Sequence, residues 1–149
     1  LLTGDKGIGK ATLAYKITRF ILNQHNNLGS NTGLFEDPIV SKETLLIDSL
    51  LVMSEKALGM VLVAEDGKLE GIFTDGDLRR TLESKMDFQK LTIEDVMTRD
   101  CKSIEPQEPA LTAIKMMEKY SLNSMPVVDS NDNIVGAINM HSLIQAKLF

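Results

Sequence analysis

The residues best suited to chemistry lie in one ten-residue stretch, GIFTDGDLRR at residues 71–80. Thr74 and Asp77 stand where an apolar run gives way to a polar segment, and Arg79 and Arg80 follow directly. If a helix begins here, its free N–H groups and the Thr74 hydroxyl can bind a phosphate. The Asp77 carboxylate can accept hydrogen bonds from two neighbouring hydroxyls of a ligand, such as a ribose diol. An arginine would offset the repulsion between that carboxylate and the phosphate.

The same residues also have a purely structural interpretation. Thr74 can cap the helix by accepting a hydrogen bond from the backbone N–H of residue 77, and Asp77 can accept one from the backbone of Thr74. Asp75 and Asp77 would then favour the positive end of the helix dipole, and the two arginines would be solvated or paired locally. The spacing alone leaves both interpretations open.

An internal repeat organises most of the chain. Shifting the sequence by 65 residues aligns positions 39–78 with 104–143 without a gap, so that Gly71 falls on Gly136 and Leu46 on Leu111. Each copy contains an apolar stripe at helical spacing, which predicts an amphipathic helix. The two stripes are Leu46, Leu50, Met53 and Ala57, and Ala110, Ala113, Ile114 and Met117. Thr44 and Pro109 are the expected helix starts.

Two apolar runs separated by a turn follow each predicted helix, MVLVA-EDGK-LEGIF in the first copy and MPVV-DSNDN-IVGAI in the second. Such a pattern indicates a strand, a turn and a second strand. A single copy of roughly 50 residues would bury too little surface to be stable alone. We therefore predict an α+β fold in which two βαββα repeats, residues 31–86 and 87–149, pack as a pseudo-symmetric pair.

Three motifs within this pattern resemble a known family. They are VMT at 96–98, MPVVD at 125–129 and TDGDL at 74–78, and together they resemble a tandem pair of CBS domains, or Bateman module. The strings LGMVLVAEDGKLEGIFTDGDLRR and VGAINMHSLIQA are similar, more narrowly, to the C-terminal half of bacterial arabinose 5-phosphate isomerases. Those enzymes feed the synthesis of Kdo for lipopolysaccharide. The resemblance covers residues 31–149 and leaves out the catalytic domain.

The resemblance implies a ligand site in the first repeat. In nucleotide-binding CBS domains, a Ser or Thr contacts phosphate and an Asp three residues later binds the ribose, which are the positions of Thr74 and Asp77. In the second repeat, Asn139 retains the helix cap while Ser142 replaces the acid, so we expect one good site. The candidate ligand-binding residues are Thr74, Asp77, Arg79, Arg80 and Asn139.

The implied function is regulatory and not catalytic. Adenine nucleotides, AMP or ATP, are the ligands typical of the family. A CMP-linked sugar acid from the lipopolysaccharide pathway is a more specific candidate, because an end product of the pathway is a sensible feedback signal. We expect a homodimer formed through CBS pairs. The sequence shows no Ser/His/Asp, Cys/His or metal-ligand cluster, so no catalytic residue, no metal and no resident cofactor are expected.

Composition narrows the partners and the compartment. The 149 residues carry a net charge of −5, which argues against non-specific electrostatic binding to nucleic acid or to an anionic membrane. The single cysteine, Cys101, cannot form an internal disulfide, and no stretch approaches the roughly 20 apolar residues of a membrane span. The N-terminus lacks the order of a signal peptide, so we expect a cytoplasmic protein.

Residues 1–30 do not fit the repeat. GDKGIGKAT, from Gly4, matches a phosphate-binding loop with Lys10 as the phosphate ligand, although Ala11 stands where a Ser or Thr would hold magnesium. Residues 1–22 resemble the opening of the delta-prime subunit of bacterial clamp loaders. We interpret residues 1–30 as a foreign fragment and linker, and expect Phe20 and Ile21 to pack on the CBS pair or on a second copy.

Two alternatives of other classes remain open. The chain could be a ligand-free dimerisation or interaction module, which the missing acid at Ser142 favours. It could instead be a fragment of an enzyme, either an isomerase seen in part or an ATPase that uses Lys10.

Overall fold

The computed structural model describes residues 38–56 and 58–145. The predictions on residues 1–30, including Lys10, Phe20 and Ile21, lie outside the described residues. The chain divides into two compact units. One holds the described residues up to Lys102 together with Asn131–Ile134, and the other holds Ser103–Ser130 and the described residues from Val135.

The first unit contains a three-stranded sheet with helices. In chain order its elements are β1 (Ile39–Val40), α1 (Leu46–Lys56), β2 (Met60–Glu65), β3 (Lys68–Thr74), α2 (Asp75–Glu83) and α3 (Ile93–Val96). Strand β1 pairs parallel to β2, and β2 pairs antiparallel to β3. Because β3 runs directly into α2 at Thr74, the sheet positions the start of that helix.

The second unit repeats the helix–strand–strand–helix part of this order. Its elements are α4 (Ala110–Tyr120), β4 (Ser124–Val128), β5 (Ile134–Asn139, of which Ile134 falls in the first unit) and α5 (Met140–Gln145). A single parallel bridge between Ile104 and Val127 takes the place of β1. In the first unit, Ile39 pairs with Leu62, and both pairs coincide under the 65-residue shift. The predicted α+β class is therefore confirmed, and the strands repeat in the predicted register.

The turn between β2 and β3 follows from two residues. Glu65 pairs with Lys68 across the hairpin, which leaves Asp66 and Gly67 as the loop, with φ of 51° and 78°. Two-residue hairpin loops favour turns in which both residues have positive φ, and Asp-Gly is a preferred sequence for them. The EDGK turn predicted from the sequence is confirmed.

Each unit has its own hydrophobic core. The buried cluster of the first unit consists of Val40, Leu46, Met53, Val61, Val63, Phe73 and Ile93. The buried cluster of the second consists of Ile104, Ala110, Ala113, Met117, Met125, Val127, Ile138 and Leu143. Of the predicted helix stripes, Leu46, Met53, Ala110, Ala113 and Met117 are in these lists, and Leu50 and Ile114 are partly buried against them. Ala57 lies outside the described residues. The two amphipathic helices are confirmed.

The gapless alignment of the two repeats is wrong for the first helix of each. It pairs Leu46 with Leu111, yet Leu46 is fully buried whereas Leu111 is 54% exposed. The buried face of α1 is formed by Leu46, Ser49 and Met53. The buried face of α4 is formed by Ala110, Ala113 and Met117. The helices therefore correspond at a shift of 64 residues, whereas the strands correspond at 65.

The start of α1 explains this offset. Leu45 forms an antiparallel bridge with Thr92, and the Leu46 N–H donates to the Leu91 carbonyl at 2.9 Å. These contacts hold the chain extended through Leu45, so the helix begins at Leu46. The sequence predicts a start at Thr44, and that prediction is wrong. Pro109 is the N-cap of α4, as expected.

Candidate functional site

The start of helix α2 is built by a capping box between Thr74 and Asp77. The Asp77 N–H donates to Thr74 Oγ1 at 3.4 Å, and the Thr74 N–H donates to Asp77 Oδ2 at 2.8 Å. The Thr74 hydroxyl also donates to Asp77 Oδ2, at 2.7 Å. Thr74 has extended backbone angles, as an N-cap requires. The TDGD motif therefore forms the capping box that its structural interpretation predicts.

The Asp77 carboxylate has two further partners. Its Oδ1 accepts a hydrogen bond from the Thr98 hydroxyl at 2.8 Å and another from Nη2 of Arg80. Asp77 is only 4% exposed. Burying a carboxylate is costly unless its charge is paired and its oxygens are hydrogen-bonded, and here both conditions are met. The result is a fixed negative charge held at the positive end of a helix.

The two arginines have different positions relative to Asp77. Arg80 lies three residues after Asp77, so its guanidinium reaches the carboxylate along one face of the helix. The side chain of Arg80 is otherwise largely exposed. Arg79 lies two residues after Asp77, which points it to another face, and it is also exposed. Of the two predicted site residues, the structure brings Arg80 to Asp77.

Thr98 is the residue that the sequence did not assign to the site. Its N–H donates to the Ile72 carbonyl at 2.8 Å, and the Ile72 N–H donates back to Thr98 at 2.9 Å. This bridge places the Thr98 hydroxyl beside the end of β3, close to Asp77 in the first turn of the next helix. In the sequence, the VMT motif at 96–98 indicates the family and no contact. Its threonine carried no signal for a contact with a residue 21 positions earlier.

The second repeat retains the cap but not the acid. Asn139 Oδ1 accepts a hydrogen bond from the Ser142 N–H at 2.7 Å, which caps α5. The Asn139 position thus matches Thr74 in its capping role, as the sequence predicted. Ser142, at the position of Asp77, is exposed and offers no carboxylate.

A second capping box in the chain provides an internal comparison. Thr92 donates to Asp95 Oδ2 from its N–H at 2.9 Å and from its hydroxyl at 3.0 Å, at the start of α3. Asp95 is exposed, and no other hydrogen bond to its carboxylate occurs within the described residues. Capping therefore needs neither burial nor extra donors, and the surroundings of Asp77 go beyond what a cap requires.

Other reactive groups in the described ranges do not join this site. Within residues 38–56 and 58–145, no group of three or more His, Cys, Asp or Glu side chains could hold a metal ion. Burial raises the pKa of the Cys101 thiol, which disfavours the thiolate needed for nucleophilic attack. The chemistry available around Asp77 is thus hydrogen bonding and charge pairing.

Within residues 38–56 and 58–145, no helix has the length and apolar character to cross a bilayer.

Comparison with known proteins identifies the fold as that of CBS domains. The CBS domain family model matches residues 35–84 and 93–148, so the chain belongs to the CBS domain family. A solved CBS domain pair, that of protein MJ0100 in complex with 5′-methylthioadenosine and S-adenosyl-L-methionine, superposes with a TM-score of 0.64 at 25% identity. The match covers 75% of this chain and 89% of the other.

Its relatives among characterised proteins are arabinose 5-phosphate isomerases. The chain is 45% identical over 113 residues to KdsD of Francisella tularensis, covering 76% of this chain and 35% of the relative. It is 44% identical over 129 residues to KdsD of Pseudomonas aeruginosa, covering 86% of this chain and 39% of the relative. The chain thus spans little more than a third of the length of these isomerases. The resemblance drawn from the sequence is confirmed.

Proposed function

We propose that this chain is a regulatory module that binds a nucleotide or a nucleotide-sugar within an arabinose 5-phosphate isomerase-like protein. Asp77 would accept hydrogen bonds from the ribose hydroxyls. The free N–H groups at the start of α2, together with Thr74, would face the phosphate. In this proposal the module senses the ligand, and isomerisation belongs to a catalytic domain outside this sequence.

The observation that carries the proposal is the contrast between Asp77 and Asp95. Both acids complete a capping box, but only Asp77 is buried and receives extra donors from Thr98 and Arg80. The surroundings of Asp77 therefore go beyond what capping requires, which supports a role for this carboxylate in recognition. The first N–H groups of a helix have no partner within the helix, and Asp75 and Gly76, which begin α2, are exposed. Arg80 supplies a cation beside them.

The structural relatives support the ligand class. The related MJ0100 pair binds adenosine derivatives that carry a ribose, and an AMP or ATP site is the family expectation. A CMP-linked sugar acid is the second ligand that we propose, on the lipopolysaccharide setting that the sequence resemblance implies. We further propose that the protein is cytoplasmic and dimerises through its CBS pair.

Calorimetric titration of the 149-residue chain with AMP, ATP, CMP and a CMP-linked sugar acid tests the proposal. We expect binding of at least one of them, and a loss of about 10- to 100-fold in affinity in Asp77→Ala, because a charge-assisted contact contributes about 1.5–3 kcal/mol. The matched control is Asp95→Ala, which removes the acid of the other capping box and should leave affinity unchanged. Equal losses in both variants would contradict the assignment of Asp77.

The second candidate is a ligand-free interaction module. The four donors that already surround the Asp77 carboxylate favour it, since they satisfy the group without any ligand. If none of the four compounds bound in the calorimetric titration, this candidate would be supported. Turnover of ATP or arabinose 5-phosphate by the isolated chain would instead indicate the enzyme fragment considered above.

A further inference from the structure

The Asp77 carboxylate has no acceptor capacity left for a ligand. An ionised carboxylate offers about four lone-pair positions, and four donors occupy them here, two from Thr74, one from Thr98 and one from Arg80. A ribose diol brings two more hydroxyl donors. If Asp77 binds a diol, as proposed above, at least one of the present partners must release it.

The four donors differ in how easily they can leave. The two from Thr74 belong to the capping box, and their loss would unravel the start of α2. Arg80 carries the charge that neutralises Asp77, and losing it would leave a buried anion unpaired. The Thr98 hydroxyl is neutral, so a ligand hydroxyl can replace it at little cost. Rotation of one side-chain torsion is enough to move it.

The backbone of Thr98 is meanwhile held in place. It makes two hydrogen bonds to Ile72. Gly71 packs against it so closely that a Cβ at residue 71 would lie 2.8 Å from the Thr98 carbonyl oxygen. Only the hydroxyl is therefore free to exchange. We infer that Thr98 is an affinity-setting residue of this site, whose hydroxyl occupies the ribose-binding carboxylate in the free protein and competes with the diol of a ligand.

Replacing the hydroxyl by a methyl group tests this inference, which rests on the proposed function. Thr98→Val keeps the shape of the side chain but removes the competing donor. One acceptor position of the Asp77 carboxylate is then left open for a ligand hydroxyl. We expect AMP to bind about 3- to 10-fold more tightly to Thr98→Val than to the wild type, the equivalent of one ordinary hydrogen bond. Thr98→Ser retains the hydroxyl and should stay within about twofold of the wild type.

A ligand without the diol sharpens the experiment. For 2′,3′-dideoxy-AMP we expect no gain in Thr98→Val, because this compound cannot occupy the vacated position. An equal gain for both ligands, or an unchanged or weakened affinity for AMP, would overturn the inference while leaving the proposed function standing. Binding seen only in Thr98→Val would support both. If neither the wild type nor the variants bound AMP, ATP, CMP or a CMP-linked sugar acid, both would fail.

Folding is monitored by circular dichroism and thermal melting of each variant. If Thr98→Val is not folded, Thr98→Ala removes the same hydroxyl with no risk of a clash, and the same comparison of AMP with its dideoxy analogue applies. A gain confined to AMP supports the inference in this variant as well, and any other pattern contradicts it.

Discussion

Gly71 and Thr98 lie in closer contact than any side chain at residue 71 would permit. A Cβ added to Gly71 would stand 2.8 Å from the Thr98 carbonyl oxygen and 2.9 Å from Sδ of Met97. This approach lets Thr98 pair with Ile72 near the end of β3. It therefore also delivers the Thr98 hydroxyl to Asp77.

Gly71→Ala should destabilise the chain by about 1–3 kcal/mol, since overpacking a close backbone contact forces the chain apart. Gly76→Ala is the matched control. Its Cβ would lie 3.6 Å from Thr74 Oγ1 and 3.7 Å from Nη1 of Arg80, which is ordinary contact, and alanine is the better helix former. Urea denaturation of both variants measures the difference. Equal stability of the two would show that the 71–98 contact is not tight.

Asp77→Asn and Asp95→Asn compare the two capping boxes. At Asp77 the amide would turn a donor group toward existing donors in a buried position, and hydrogen bonds to charged groups are the strong ones. We expect a loss of about 2–3 kcal/mol there, and less than about 1 kcal/mol at the exposed Asp95. Chemical denaturation of each variant gives the two values. A cost at Asp95 as large as that at Asp77 would mean that capping alone explains both.

Leu46→Ala and Leu111→Ala test the offset between the two helices. The gapless repeat makes these leucines equivalent, but Leu46 is buried in the first core and Leu111 faces outward. We expect Leu46→Ala to cost about 2–5 kcal/mol and Leu111→Ala to stay within about 0.5 kcal/mol of the wild type. Thermal and urea unfolding distinguish them. Comparable losses would restore the 65-residue correspondence for the helices.

Cys101 should react slowly with thiol reagents at neutral pH. Burial raises the pKa of its thiol, so at a given pH less thiolate is present than in an unfolded chain, and the thiolate is the reactive form. The rate of alkylation by iodoacetamide should rise with pH and should increase at pH 7.5 when the chain is unfolded in urea. The chain contains no other cysteine, so the measured rate belongs to this residue. A folded-state rate equal to the unfolded one would contradict the burial of the thiol.

Features that depend on neighbours in sequence could be predicted from the sequence. The Thr74–Asp77 capping box needs only a helix start and a three-residue spacing, and the Asp66–Gly67 turn needs only two residues that tolerate positive φ. The helix stripes and the repeated strands likewise follow from short periodicities. These features are local because backbone geometry fixes which neighbours can meet.

The tertiary structure decided the rest. The contact between Thr98 and Asp77 depends on the pairing of Thr98 with Ile72 of β3, and no pattern in the sequence predicts it. The 64-residue offset of the helices depends on the bridge between Leu45 and Thr92, because this bridge makes α1 begin one residue later than the repeat predicts. In this chain, the sequence determined the start of the helix and the local partners of Asp77, Thr74 and Arg80, whereas packing between distant segments determined that Thr98 also contacts Asp77.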